Sequence, residues 1–206
     1  VPDPLLSRLS PARPPRAVAL VLHGGAVHSP RSVDHRSSSW HRARFLQRAI
    51  APRLHDEGIA VWLLRFRVRG WNDHVSPSPV PDARWAIERI RDELDVPVAL
   101  VGHSMGARTA MRVSDAPAVR GVVGLAPWLP DGEPVAALRD RRLVVGHGRR
   151  DRITSFALSQ AYVERARSVA RSASFHDMGD VGHYLLRDSA RWNAFTAASV
   201  LEVLED

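Results

Sequence analysis

Apolar and polar positions follow two rhythms along this chain. Short, nearly continuous apolar runs, rich in Val and Leu, recur at 16–23, 59–66, 96–102, 119–126 and 142–148, and the more polar ASFHDM at 173–178 reads as a sixth strand. Runs of this length, apolar on both alternating faces, predict strands buried on both sides, as in a parallel sheet. Between them the period shifts to that of a helix. Phe45, Leu46, Ala49, Ile50 and Leu54 mark a helix over 40–57 with Gly58 as its stop. Trp85, Ile87, Ile90 and Leu94 mark one over 83–94, with Asp82 as its cap and Pro77, Pro79 and Pro81 keeping the preceding loop non-helical. Further helices are predicted over 105–113, 155–168 and 189–204, and loops over 26–39 and 67–75. Residues 1–16, rich in Pro, Ser and Arg, read as an irregular arm. Residues 17–206 then form one domain, without an internal repeat.

Strands that alternate with helices throughout predict an α/β fold: a mostly parallel central sheet of about six or seven strands, with helices on both faces. Sites on such sheets lie at the carboxyl ends of the strands. The residues that follow each strand are therefore where chemistry is expected.

Composition narrows the classes. The 206 residues suffice for one sizeable core. No apolar run approaches the roughly 20 residues of a membrane span, so no membrane partner is expected. The opening VPDPLLSRLSPARPPR begins with Val rather than Met and lacks the apolar core and cleavage site of a secretory signal. The cytoplasm is the default expectation. Cysteine is absent, which excludes disulfides, thiolate metal sites and a Cys nucleophile. The net charge is +7, and all 29 basic residues are Arg. They are spread along the chain among Asp and Glu, without the clustered face of a nucleic-acid binder, so no nucleic-acid partner is expected.

The candidate chemistry centres on Gly102-His103-Ser104-Met105-Gly106, between the third strand and a helix. A sharp strand-to-helix turn would lift the Ser104 side chain to the sheet edge, and its flanking glycines would allow close backbone approach. A serine hydroxyl needs a base, and the base an orienting acid. Asp151 follows the fifth strand in GHGRRD (146–151), and His183 follows the sixth in GDVGH (179–183). The order Ser, Asp, His falls where the topology requires it. Asp177 and Asp180 are rival acids, but stand on the wrong strand for that order. His103, His147, His176, His28, His35, His41, His55 and His74 are read as structural or solvated. Their spacing matches no zinc motif, so no metal is expected. The glycines form neither a dinucleotide fingerprint nor a P-loop, so no cofactor is expected.

With LHGG (22–25), GHSMG, GHGRRD and GDVGH in place, the chain resembles the α/β-hydrolases, specifically the small dienelactone-hydrolase-like serine hydrolases, over nearly its whole length after residue 16. The resemblance implies Ser104 as nucleophile, His183 as general base and acid, and Asp151 as its orienter. It implies an oxyanion hole from the N–H of Met105 and one from the loop after the first strand, Gly25 being the best match and Ala26 the alternative. Dienelactone hydrolases use Cys as nucleophile; Ser here points to their esterase-like relatives. The sheet also falls short of the family's eight strands at its N-terminal end.

The 127–141 segment is too short for a helical lid, so an open site is expected. Trp128, after the fourth strand, and Trp71 are candidates to flank the substrate, each with core packing as the alternative; Ala26 lies beside them in the same tentative group. Arg65, Arg67 and Arg69 would share one face if their strand extended that far, which would suit an anionic substrate; the plainer alternative is a solvated loop. The expected substrate is a small acyl ester or thioester. An acyltransferase, a cofactor-free perhydrolase and a non-catalytic binding module remain alternatives on the same fold, and the sequence does not specify an oligomeric state.

Overall fold

The computed structural model describes residues 3–205. One sheet carries every strand: β1 (Leu5–Leu9), β2 (Ala17–Leu22), β3 (Ile59–Arg65), β4 (Val98–His103), β5 (Val119–Leu125), β6 (Arg142–His147) and β7 (Ser172–Asp177), in the order β1-β3-β2-β4-β5-β6-β7. All neighbours are parallel except the β1–β3 pair. The central strands β2 and β4 are buried along their full length, which explains their uninterrupted AVALVL and VALVGH sequences. This is the α/β-hydrolase fold.

The helices are α1 (Ser38–Asp56), α2 (Pro79–Leu94), α3 (Met105–Arg112), α4 (Phe156–Ala166) and α5 (Ser189–Leu204). They make two cores. On one face α1 and α5 pack Leu46, Ile50, Leu54, Trp192 and Val200 against Val21, Val61 and Val101. On the other, α2, α3 and α4 pack Ile87, Ile90, Met111, Tyr162 and Val163 against Leu20, Leu100 and Val122. Between β5 and β6 only a 3-10 turn, Ala136–Leu138, interrupts the loop, so no helical lid is inserted at that point. Among the described residues no helix is long and apolar enough to cross a membrane.

Two expectations are corrected. The arm is not irregular throughout: Leu5–Leu9 forms the antiparallel edge strand, with Leu5 opposite Arg65 and Leu9 opposite Val61. It is held by tertiary contacts that local pattern does not advertise. The Arg8 guanidinium lies 4.5 Å from the Trp62 ring centroid and bonds Glu93 at 2.8 Å. The Gln47 amide donates to both Ser7 O and Val61 O at 2.9 Å, tying the edge strand to its neighbour from above. The second correction concerns α2, which begins at Pro79 rather than after Asp82. Proline is tolerated in a first turn because its missing N–H has no helical partner there. Asp82 turns inward instead of capping and accepts the Arg67 N–H at 2.8 Å and Nε–H at 2.5 Å. Burial raises its carboxyl above the ordinary value, against the pull of Arg67.

Candidate active site

The site is built on the turn from β4 into α3. Ser104 is the one residue between them, with φ 56° and ψ −118°. A side chain rarely adopts this conformation, and the surroundings hold it. Its N–H donates to Leu125 O at 3.0 Å, and its carbonyl accepts from Ala107 and Trp128 at 3.1 and 3.2 Å. The flanking glycines are sterically required. A Cβ on Gly102 would stand 2.3 Å from Ala107 Cα, and one on Gly106 would stand 2.1 Å from Leu22 O. The N–H of Met105 opens α3, where the first amides have no partner within the helix.

Asp151 lies four residues beyond β6, in a tight turn. Its Oδ1 accepts the N–H groups of Ile153 and Thr154 at 2.8 and 2.9 Å. Its Oδ2 accepts from His183 Nδ1 at 2.7 Å, Thr154 Oγ1 at 2.8 Å and His147 Nε2 at 3.1 Å. Burial alone would raise this carboxyl. The bonds from His147, His183 and the two amides outweigh it and hold the group well below the usual carboxylate range. Asp151 is thus an anion, and His183 donates to it from Nδ1. The other ring nitrogen, Nε2, is left with its lone pair when the imidazole is neutral. His183 and Ser104 line the same cavity, of about 490 Å³. The rival acids are engaged elsewhere: Asp177 pairs with Arg149 at 2.6 Å and Asp180 with Arg150 at 3.1 Å.

Two histidines read as structural brace this arrangement. His103 donates from Nε2 to His183 O at 2.8 Å, and their ring centroids lie 4.8 Å apart. Burial, then the neighbouring imidazole of His183, pushes the His103 pKa down to about 3. His147 donates from Nε2 to Asp151, so its Nδ1 accepts from Ser159 Oγ at 2.9 Å. His147 stands four residues before Asp151, so its structural role at that turn follows from local sequence, whereas the His103 contact joins positions 80 residues apart and has no local signal.

Gly25 and Ala26 both line the cavity. A Cβ on Gly25 would meet Arg69 O at 2.3 Å and Met105 Cε at 2.5 Å, so only glycine fits there. The Ala26 N–H is taken up by Arg69 O at 2.8 Å, which leaves Gly25 as the candidate donor in this loop. Trp71 and Trp128 do not line the cavity. Trp71 is 1% exposed, and its ring meets that of Trp128 edge-on at 5.9 Å. Both rings enclose the guanidinium of Arg108, at 4.0 and 4.6 Å, and Arg108 bonds buried Glu133 at 2.6 Å. They pack around Arg108 and support α3 from behind.

The alternating arginines diverge because β3 ends at Arg65. Arg67 pairs with Asp82, and Arg69, which does reach the cavity, pairs with Asp34 at 2.9 Å. The other arginines at the cavity are Arg31 and Arg42. No sequence pattern marked them, since nothing local shows that the start of α1 borders the strand ends. Among the described residues no group of His, Asp or Glu converges as a metal site.

Residues 19–198 match the family described as the Alpha/beta hydrolase family, and the chain belongs to it. The fold is shared with an α/β serine hydrolase homologue from Coxiella burnetii (TM-score 0.74, 15% identity, 95% of this chain and 91% of that one). It is shared too with a lidless α/β serine hydrolase from Xanthomonas campestris (TM-score 0.72, 20% identity, 98% and 90%). A butyrate-bound esterase from Thermogutta terrifontis is similar as well (TM-score 0.70, 15% identity, 98% and 90%). No curated protein matches the chain.

Proposed function

We propose that the protein is a serine hydrolase that cleaves an ester or thioester through an acyl-enzyme intermediate, a lidless carboxylesterase of the dienelactone-hydrolase-like kind. The observation that carries this reading is the 2.7 Å bond from His183 Nδ1 to an Asp151 carboxylate held ionised, beside a strained Ser104 in one cavity. His183 Nε2 takes the Ser104 proton as Oγ attacks the acyl carbon, then returns it to the departing alcohol or thiol. Water repeats the cycle and frees the acid. Asp151 fixes the tautomer and stabilises the imidazolium. The N–H groups of Met105 and Gly25 stabilise the oxyanion. The esterase from Thermogutta terrifontis, of the same fold, lends the ester reading support.

The test is hydrolysis of p-nitrophenyl acetate together with labelling by a fluorophosphonate. The wild-type protein labels and turns over; Ser104→Ala does neither and loses roughly three or more orders of magnitude in kcat/KM. Activity retained in Ser104→Ala overturns the assignment.

A further inference from the structure

The cavity that holds Ser104 and His183 has an unbalanced charge. Three guanidinium groups line it, those of Arg31, Arg42 and Arg69, and no carboxylate does. Arg69 is matched by Asp34 just outside. Arg42, on the second turn of α1, is only partly exposed and makes no ion pair among the described residues. Among the described residues its one close partner is the ring of Tyr184, with the guanidinium 4.7 Å from the centroid. Tyr184 directly follows His183, so this cation sits beside the catalytic base.

Arg67, Arg108 and Arg112, likewise partly or fully buried, do have counter-ions: Arg67 has Asp82, while Arg108 and Arg112 share Glu133. A desolvated cation without a counter-ion is costly, and burial lowers the affinity of Arg42 for its proton. An aromatic face relieves part of that cost but leaves all five N–H donors of the fork open to an acceptor. Arg31 stands at the exposed rim, where solvent screens it. One unmatched, partly desolvated cation suits a single negative charge better than a dianion.

From this we infer that the substrate is an ester or thioester bearing a carboxylate, bound by the Arg42 fork with Arg31 at the rim, while Ser104 attacks the acyl carbon. The inference rests on the serine-hydrolase reading above. It names the substrate class of that site.

The experiment compares two matched pairs of esters. Mono-p-nitrophenyl adipate against its methyl ester places the carboxylate on the acyl side. 3-(4-Acetoxyphenyl)propanoate against its methyl ester places it on the leaving-group side. Within each pair the ratio of kcat/KM, acid over methyl ester, cancels general damage to the site. The wild-type protein is expected to favour the acid about ten- to hundredfold in one pair, the range for a hydrogen-bonded charge pair. That ratio falls toward one in Arg42→Gln, is partly kept in Arg42→Lys, and shrinks as salt is added. Arg48→Gln, the same charge change at an exposed site on α1, keeps the wild-type ratio. A ratio near one in both pairs, or a preference that survives Arg42→Gln, overturns the inference. If the neutral methyl esters turn over in a Ser104-dependent way in that event, only the carboxylate inference falls. If turnover survives Ser104→Ala, the hydrolase reading falls with it.

Discussion

At the scale of single residues the site rests on a conformation that disfavours its own nucleophile. Ser104 holds φ 56° and ψ −118°, where a β-carbon crowds the backbone. Removing the hydroxyl alone, as in Ser104→Ala, leaves that crowding. Removing the β-carbon, as in Ser104→Gly, relieves it at the expense of greater freedom in the unfolded chain. The Gly variant is expected to be more stable than the Ala variant by about 1 kcal/mol, the reverse of their usual order. Urea denaturation of the two inactive proteins measures this, and an Ala variant of equal or greater stability would show that the turn stores no strain. Ser104, Asp151 and His183 were legible because each lies in the connection that leaves the carboxyl end of its own strand, so sequence order alone places them on one edge. Arg42 and His103 were not. Their roles depend on which side chain a distant loop brings within bonding distance, and that is set by helix rotation and loop path.

Among the elements, periodicity was a good guide wherever burial was complete. The four helices outside α2 and the six strands from β2 onward fall close to their expected spans; β2 to β6 bury nearly unbroken apolar runs, while β7, at the far edge of the sheet, is only partly covered. The α2 start was misplaced because Pro79 and Pro81 were read as breakers, although a first turn accepts them. The edge strand β1 was missed because LLSRL is half solvent-facing and lies between prolines. Its place in the sheet comes from Trp62, Glu93 and Gln47, far along the chain. An edge strand covers the hydrogen-bonding rim of its neighbour. Deleting residues 1–10 would uncover β3 from Val61 to Arg65 and release the packing of Leu6 and Leu9. The expected loss is about 2–4 kcal/mol of unfolding free energy, from two part-buried leucines and the ladder bonds. Concentration-dependent self-association should accompany it. Denaturation curves and size-exclusion elution across a range of concentrations test both, and a truncated protein as stable and as monodisperse as the full chain would make β1 dispensable.

For the whole molecule, stability and site integrity are joined through two buried histidines that the fold keeps neutral. His23 donates from Nδ1 to Gly24 O at 2.6 Å and accepts the Phe66 N–H on Nε2 at 3.2 Å, so a second ring proton would face a donor. Burial above all pushes its pKa down to about 4, and that of His103 to about 3. In the unfolded chain both return to about 6.5. Below that value the unfolded state takes up protons that the native state refuses, so stability falls as pH falls. The loss begins near 6.5 and continues until the native pKa values are reached. Two such groups give a slope of up to about 2.7 kcal/mol per pH unit between roughly pH 6 and 4.5. Asp151 acts only further down, since its depressed carboxyl loses its contribution once the pH drops below the unfolded value near 3.9. The two histidines anchor the loops that carry the proposed chemistry: His23 the Gly24-Gly25 loop, His103 the main chain of His183. Acid should therefore weaken the site and the fold in step. Urea unfolding measured from pH 7 to 4.5 should show the two-proton slope, and His103→Gln, which has nothing to protonate, should reduce it by about one proton. An unchanged slope in that variant would mean that the protons bind elsewhere and that His103 is not kept neutral by the fold.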